Sequence, residues 1–255
     1  MRNRNYIFLL SNLVLKDFRI RYRNMSLGIL WSLVNPLVMM GVLTFVFTKI
    51  RPNDIGPHNY AVFVLCALVP FNFYTIAFAT GTTSVIENYH LIKRVRFPRE
   101  VIPVASVLSN CLHFLVQIAL LIGFVLAFGY GMNRYWLWLP VVWGLEIAFV
   151  CGLTLISSSL DVYLRDVRYV VESSNLVMFW LVPIFYSFGS IPKQFELVYN
   201  LNPISAVVFA SRNVLLEGRS PAASLLWNLA AVSLAVLALG MLVFGRLKRR
   251  FADYL

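Results

Sequence analysis

The chain has 255 residues, is 60% hydrophobic and only 13% charged, and carries a formal net charge of +11. A soluble domain carries about 25% charged residues, so composition excludes an ordinary soluble globular protein and indicates an integral membrane protein. The excess of basic residues is read against membrane topology first, and no nucleic-acid partner is expected.

Residues 1–24 come first, as an amphipathic helix lying on the inner membrane face. Asn12, Lys16, Arg19 and Arg23 are spaced four, three and four apart and form a polar stripe. Tyr6, Leu10, Leu13 and Ile20 fall on another face, with Leu9 and Val14 beside them. Asp17 intrudes there, and Arg21, four residues on, is within pairing reach. The first hydrophobic residues are broken at Lys16, Asp17 and Arg19 with no small-residue cleavage site after them, so no cleavable leader is expected.

Six long runs follow with almost no charge: 24–48, 55–86, 101–133, 135–160 (interrupted only by Glu146), 173–192 and 220–245. A bilayer-crossing helix needs roughly 20 apolar residues, and lipid offers the backbone no hydrogen-bond partner, so isolated spans must be helical. The expected fold is an all-α integral membrane protein with six transmembrane helices. The spans fall at about 26–48, 60–84, 102–128, 137–160, 171–188 and 222–245, in one transmembrane domain over 25–246 with a tail at 247–255. Cys66, Cys111 and Cys151 lie within spans and read as small packing residues. Tyr135, Trp136 and Trp138 sit at the outer end of the fourth span, as an interfacial anchor.

With the N-terminus inside, 16 of the 22 Lys and Arg fall in the inner segments 1–23, 87–100, 161–172 and 246–255. Lys49, Arg51, Arg134, Lys193, Arg212 and Arg219 fall outside. This bias sets both termini in the cytoplasm. "LIKRVRFPRE" (91–100) is then the first cytoplasmic loop, a short basic segment stopped by Pro98, with Pro103 fitting the first turn of the next span. The outer loop 189–221 is long and apolar, which predicts one or two short helices dipping back into the protein. No internal repeat is visible, which disfavours an inverted-repeat secondary transporter.

Three motifs in order carry a resemblance. Arg21-Tyr22-Arg23 leads into Leu27-Gly28, Trp31 and Pro36; Lys93-Arg94 leads into Phe97-Pro98-Arg99-Glu100; and "YLRDVRYVVE" (163–172) holds Arg165 and Asp166, with "LNP" further on at 201–203. Over nearly its whole length the chain resembles the permeases of ABC-2 type exporters that move O-antigen, capsular polysaccharide or teichoic acid across the bacterial inner membrane. The resemblance implies a multi-pass permease of a lipid-linked glycan, paired with a second copy of itself and with two cytoplasmic ATP-binding subunits. The chain itself holds no Gly-x-x-x-x-Gly-Lys-[Ser/Thr] motif, so ATP and Mg are expected on the partner subunits, with no cofactor or metal on this chain.

Candidate sites follow. Leu91, Ile92, Lys93, Arg94, Val95, Arg96, Phe97 and Pro98 would dock on the ATPase, the apolar residues filling a groove and the basic ones meeting an acidic rim; the resemblance adds Arg165 and Asp166. The other reading of this loop is a topology signal alone. Arg19, Arg21 and Arg23 would receive an anionic lipid head group, because guanidinium forks suit phosphate; the bland alternative is attraction to ordinary anionic membrane lipids. Pore-lining candidates are Phe71, Tyr74 and Phe78 at helical spacing, Phe179 and Tyr186 seven apart, and Glu146 near mid-membrane, with His113 or Gln117 as its possible partner. Their alternative is helix packing. His58 and His90 read as solvated loop residues. The competing functional classes are a membrane acyl- or glycosyltransferase of envelope glycan assembly and a passive channel. The first would need an acid–base constellation, and neither His-x-x-x-x-Asp nor Asp-x-Asp occurs.

Overall fold

The structure, a computed structural model, describes residues 2–23, 26, 28–50, 58–94, 97–187, 189, 192, 194, 199 and 201–254; for 2–7, 22, 94, 252 and 253 it describes the backbone alone. Among these residues the chain is helical, with no strand. Five helical stretches are long and apolar enough to cross a membrane: Gly28–Ile50, Tyr60–Glu87, Val101–Ala127, Arg134–Asp161 and Ala223–Arg250.

α1 (Arg2–Tyr22) lies along α5 (Val101–Ala127). Leu13 is buried, and Asn12, Lys16, Arg19 and Arg23 are exposed. Ile20, expected on the apolar face, is 59% exposed. The reason is that Asp17 and Arg21 turn inward to meet polar side chains of the bundle, which rotates Ile20 out.

α2 (Trp31–Phe45) opens with a tight turn at Gly28–Leu30 and closes in a wide one at Val46–Ile50. Pro36 lies inside it, and a proline has no N–H to give the carbonyl four residues earlier. That carbonyl belongs to Ser32, and the side-chain Nε2 of Gln117 on α5 donates to it at 3.0 Å.

α3 (Tyr60–Glu87) is the axis of the bundle, buried along most of its length by α2, α5, α6 (Leu139–Asp161), α7 (Val167–Leu181) and α8 (Pro203–Leu215). Few charges interrupt it because lipid and packed helix alike reject them. Buried hydroxyls serve as glue instead: Thr82 on α3 and Ser157 on α6 share a hydrogen bond of 2.7 Å. α6 and α9 (Ala223–Leu247) cross closely at Gly152 and Gly240, where a Cβ on Gly152 would stand 2.6 Å from backbone atoms of Val236 and Leu237. Small residues at such crossings let backbones approach.

The fifth expected span, 171–188, differs from the others. Its helix α7 has 15 residues, about 22 Å at 1.5 Å each, short of a hydrocarbon core of about 30 Å. It ends because Val182 is extended, the conformation that a following proline, here Pro183, favours. The stretch 189–221 does contain a short helix. Asn202 caps α8, accepting from the N–H groups of Ile204 and Ser205 at 3.0 and 3.5 Å, and Pro203 occupies the first turn. At the opposite end, the chain turns after Arg250 into α10 (Phe251–Tyr254), which tucks a fully buried Phe251 beneath α6 and α9.

Candidate functional site

Two constellations occupy the end of the bundle that holds α1 and the tail. The first is built on the loop 87–100. α4 (Tyr89–Arg94) is a short helix after α3. Ile92 packs against the cluster of Val85, Leu155, Val162, Phe244 and Phe251. Lys93 is exposed, with its ammonium 5.5 Å from the centre of the Tyr89 ring. Leu91, Phe97 and Pro98 are half-buried, while Val95, Arg96 and the side chain of Arg94 lie outside the described residues. Arg99 and Glu100, read from sequence only as the end of a docking motif, close a clasp on the tail. Arg99 Nη1 donates to the Lys248 carbonyl at 2.6 Å, and Lys248 Nζ donates to both Glu100 oxygens at 3.1 and 2.9 Å. Tyr163, in the 162–166 loop, joins by donating to the Leu247 carbonyl at 2.7 Å and packing edge-on to Phe251 and Tyr254. Arg165 and Asp166 beside it are exposed. Arg168 pairs with the buried Asp161 at 3.4 Å.

The second constellation is a polar cleft between α1, α3 and α5. Arg21 Nη1 donates to Asn110 Oδ1 at 2.6 Å. Asn110 in turn donates to Thr80 Oγ1 and the Ser106 carbonyl, each at 2.9 Å, so one α5 amide ties three helices together. Phe18 stacks on His113 with centroids 5.4 Å apart. Arg21 lines two cavities at once. One, of about 210 Å³, is bounded by Trp31, Asn72, His113 and Gln117; the other, of about 360 Å³, by Lys16, Asp17, Glu87, Asn88 and Ser109. Behind their walls, Asn72 Nδ2, Gln117 Oε1 and Ser109 Oγ are buried without a hydrogen-bond partner among the described residues. Burial raises the Asp17 carboxyl above its ordinary range against the opposing pull of Lys16 and Arg21. Arg19 and Arg23 point outward, away from the cleft.

The aromatic candidates are divided. Phe71, Tyr74 and Phe78 are buried within a single chain, Tyr74 stacking on Phe149 and Phe71 meeting Phe179 edge-on. Phe179 is half-buried, and the Tyr186 hydroxyl lies 3.0 Å from that of Tyr199 and donates toward the carbonyls of Trp180 and Leu181. Glu146 is fully buried on α6, and neither carboxyl oxygen has a hydrogen-bond partner among the described residues. His113 and Gln117 are occupied with Phe18 and Ser32. Sequence reasoning missed Asn110 and Lys248. The first looked like one polar residue in an apolar run, and the second like one of several tail cations.

The sequence pattern of the ABC-2 type transporter family matches residues 9–216. The chain is 31% identical over 257 residues to the O-antigen export system permease protein RfbA of Klebsiella pneumoniae, covering 99% of this chain and 97% of that one. It is 28% identical over 250 residues to the RfbA permease of Myxococcus xanthus, covering 97% and 95%. To the polysialic acid transport protein KpsM of Escherichia coli it is 26% identical over 242 residues, covering 91% and 90%.

Proposed function

This chain belongs to the ABC-2 type transporter family, and from that premise we propose that it is the membrane-spanning permease of an ATP-driven exporter that moves a lipid-linked polysaccharide across the bacterial inner membrane. The observation that carries this reading is full-length similarity to O-antigen export permeases, from the N-terminal helix to the tail. Two copies form the conduit, and two cytoplasmic ATP-binding subunits drive it. The α4 loop and the neighbouring 162–166 loop meet those subunits. α7, with the residues that follow it, makes the sixth crossing, so that both termini lie inside. The sixteen-to-six bias of basic residues supports that orientation.

The cleft around Arg21 receives the anionic head group of the lipid carrier. Arg21, tied to Asn110, sets a guanidinium in the walls of both cavities, and a guanidinium suits phosphate oxygens. Arg19 and Arg23 serve the membrane surface instead. Deleting the gene tests the whole reading: undecorated lipid-linked polymer should accumulate inside the cell. Unchanged surface polysaccharide would overturn it. Crosslinking in membranes tests the assembly, which should contain two copies of this chain.

A further inference from the structure

At the end of the bundle opposite the tail, a cavity of about 430 Å³ opens between the start of α3, α8 and the start of α9. Its size is in the range of small-molecule sites. Arg212 of α8 is in its wall, only 5% exposed. The guanidinium rests on the Phe63 ring, 3.5 Å from its centroid. It donates to three backbone carbonyls: Nε to Phe63 at 3.3 Å, Nη1 to Tyr186 at 3.4 Å and Nη2 to Ile184 at 2.8 Å. A guanidinium has five N–H groups, so one on each terminal nitrogen remains unused. Among the described residues no carboxylate lies within ion-pairing distance of it; the nearby Glu217 is engaged by Arg219. A buried cation held by carbonyl dipoles and a ring face, with the Glu217 carboxylate of the same wall beyond ion-pairing distance, suits an anion, and two donors on adjacent nitrogens match the two oxygens of a carboxylate.

The rest of the wall suits a sugar rather than a bare ion. Asn213 and Asn228 bring side-chain amides for hydroxyls, Asn213 Oδ1 already accepting from Arg219 Nη2 at 3.4 Å, and Arg219 at the rim, paired with Glu217, is a second, exposed cation. We infer that this cavity is a binding site for a carboxylate-bearing sugar, held by Arg212 and Arg219 at its acid group and by Asn213 and Asn228 at its hydroxyls. The identity of the sugar's polymer rests on the export reading above, where this end of the bundle faces outward and meets the emerging glycan; the binding chemistry does not.

The test uses the full-length chain in lipid nanodiscs and calorimetric titration with glucuronate, glucose and acetate. Glucuronate should bind, and glucose and acetate should each bind at least about tenfold more weakly, a difference of about 1.4 kcal/mol. Arg219→Gln and Asn228→Ala, both at the rim, should each weaken glucuronate severalfold while unfolding at the wild-type temperature. Replacing Arg212 would also release three carbonyls, so it is not the decisive variant. Absent glucuronate binding, equal binding of glucose or of acetate, or indifference to both rim variants would overturn the inference. The titration needs neither ATP nor transport. Lost binding with intact export sinks this inference alone, and glucuronate binding by a chain whose deletion leaves the surface polysaccharide unchanged sinks the export reading alone.

Discussion

Gly152→Ala should be among the most damaging single-methyl changes available in this bundle. The added Cβ would stand 2.6 Å from the Leu237 nitrogen and from the carbonyl carbon and oxygen of Val236. Carbon contacts settle at about 3.5–4.0 Å, so α6 and α9 must part by about 1 Å, and a gap of that size forfeits roughly a quarter to a half of each facing dispersion contact. The obstacle is backbone, which cannot swing aside as a side chain does. Overpacking of this kind costs about 1–3 kcal/mol, and the upper end applies because two rigid helices are wedged apart. A control lies on the same helix: Gly144 has nothing within 4 Å of the equivalent position, so Gly144→Ala meets no clash and gains up to about 1 kcal/mol of helix propensity. Detergent-driven unfolding of the purified protein, followed by circular dichroism, should separate the two variants by about 3 kcal/mol. Gly240→Ala should cost a similar amount, since its Cβ would lie 2.5 Å from the Gly152 carbonyl oxygen. The double variant should cost less than the sum, because one separation relieves both. Equal stability of Gly152→Ala and Gly144→Ala would refute the close crossing.

Arg21→Lys keeps the charge and removes the fork, so substrate-stimulated ATP hydrolysis should fall about tenfold, worth about 1.4 kcal/mol, while Arg19→Lys and Arg23→Lys stay near wild type; a uniform response would assign all three to general lipid attraction. Asp17 has a raised folded pKa, so its ionised form opposes docking of α1 at neutral pH, and that penalty fades as pH falls through the raised value. Asp17→Asn should therefore slow hydrogen exchange in α1 at pH 7 and have no such effect under acid conditions where the wild-type carboxyl is already protonated. Phe97→Ala with Arg94→Ala should abolish co-purification of the ATP-binding subunit, each anchor being worth about 2 kcal/mol, with membrane insertion unchanged by protease accessibility. Lys248→Glu should lower thermal stability by about 0.5–1 kcal/mol, the scale of a half-exposed pair; adding Glu100→Lys should restore it, and failure of that rescue would mean that the pair does not govern the clasp.

The long helices were legible because a run of twenty uncharged residues has few other uses, and their bounds followed where charge resumed: Glu87, Arg134 and Asp161 all lie at helix ends. α7 was harder. Its apolar run continues past Pro183, so hydropathy gives a single span where the backbone gives a short helix that stops at an extended Val182 and turns. The N-terminal helix was readable as amphipathic, but its contact face was not, because polar groups of α3 and α5 drew Asp17 and Arg21 inward. Arg21 stood out by charge. Asn110 carries no local signal, since its role comes from helices distant in sequence. Likewise the Gln117 bond to Ser32 follows from Pro36 only once α2 and α5 are known to be neighbours.

The clasp between Glu100 and Lys248 joins residues 148 positions apart, and this has a consequence for the order of biogenesis. A ribosome adds about 5–20 residues per second, so roughly 7–30 s pass between synthesis of the two partners. Throughout that interval α5 to α9 are being made while the 87–100 loop lacks its partner. A nascent subunit thus presents an unfinished loop surface until Lys248 has been made. The loop's finished form therefore reports that synthesis has passed the end of α9.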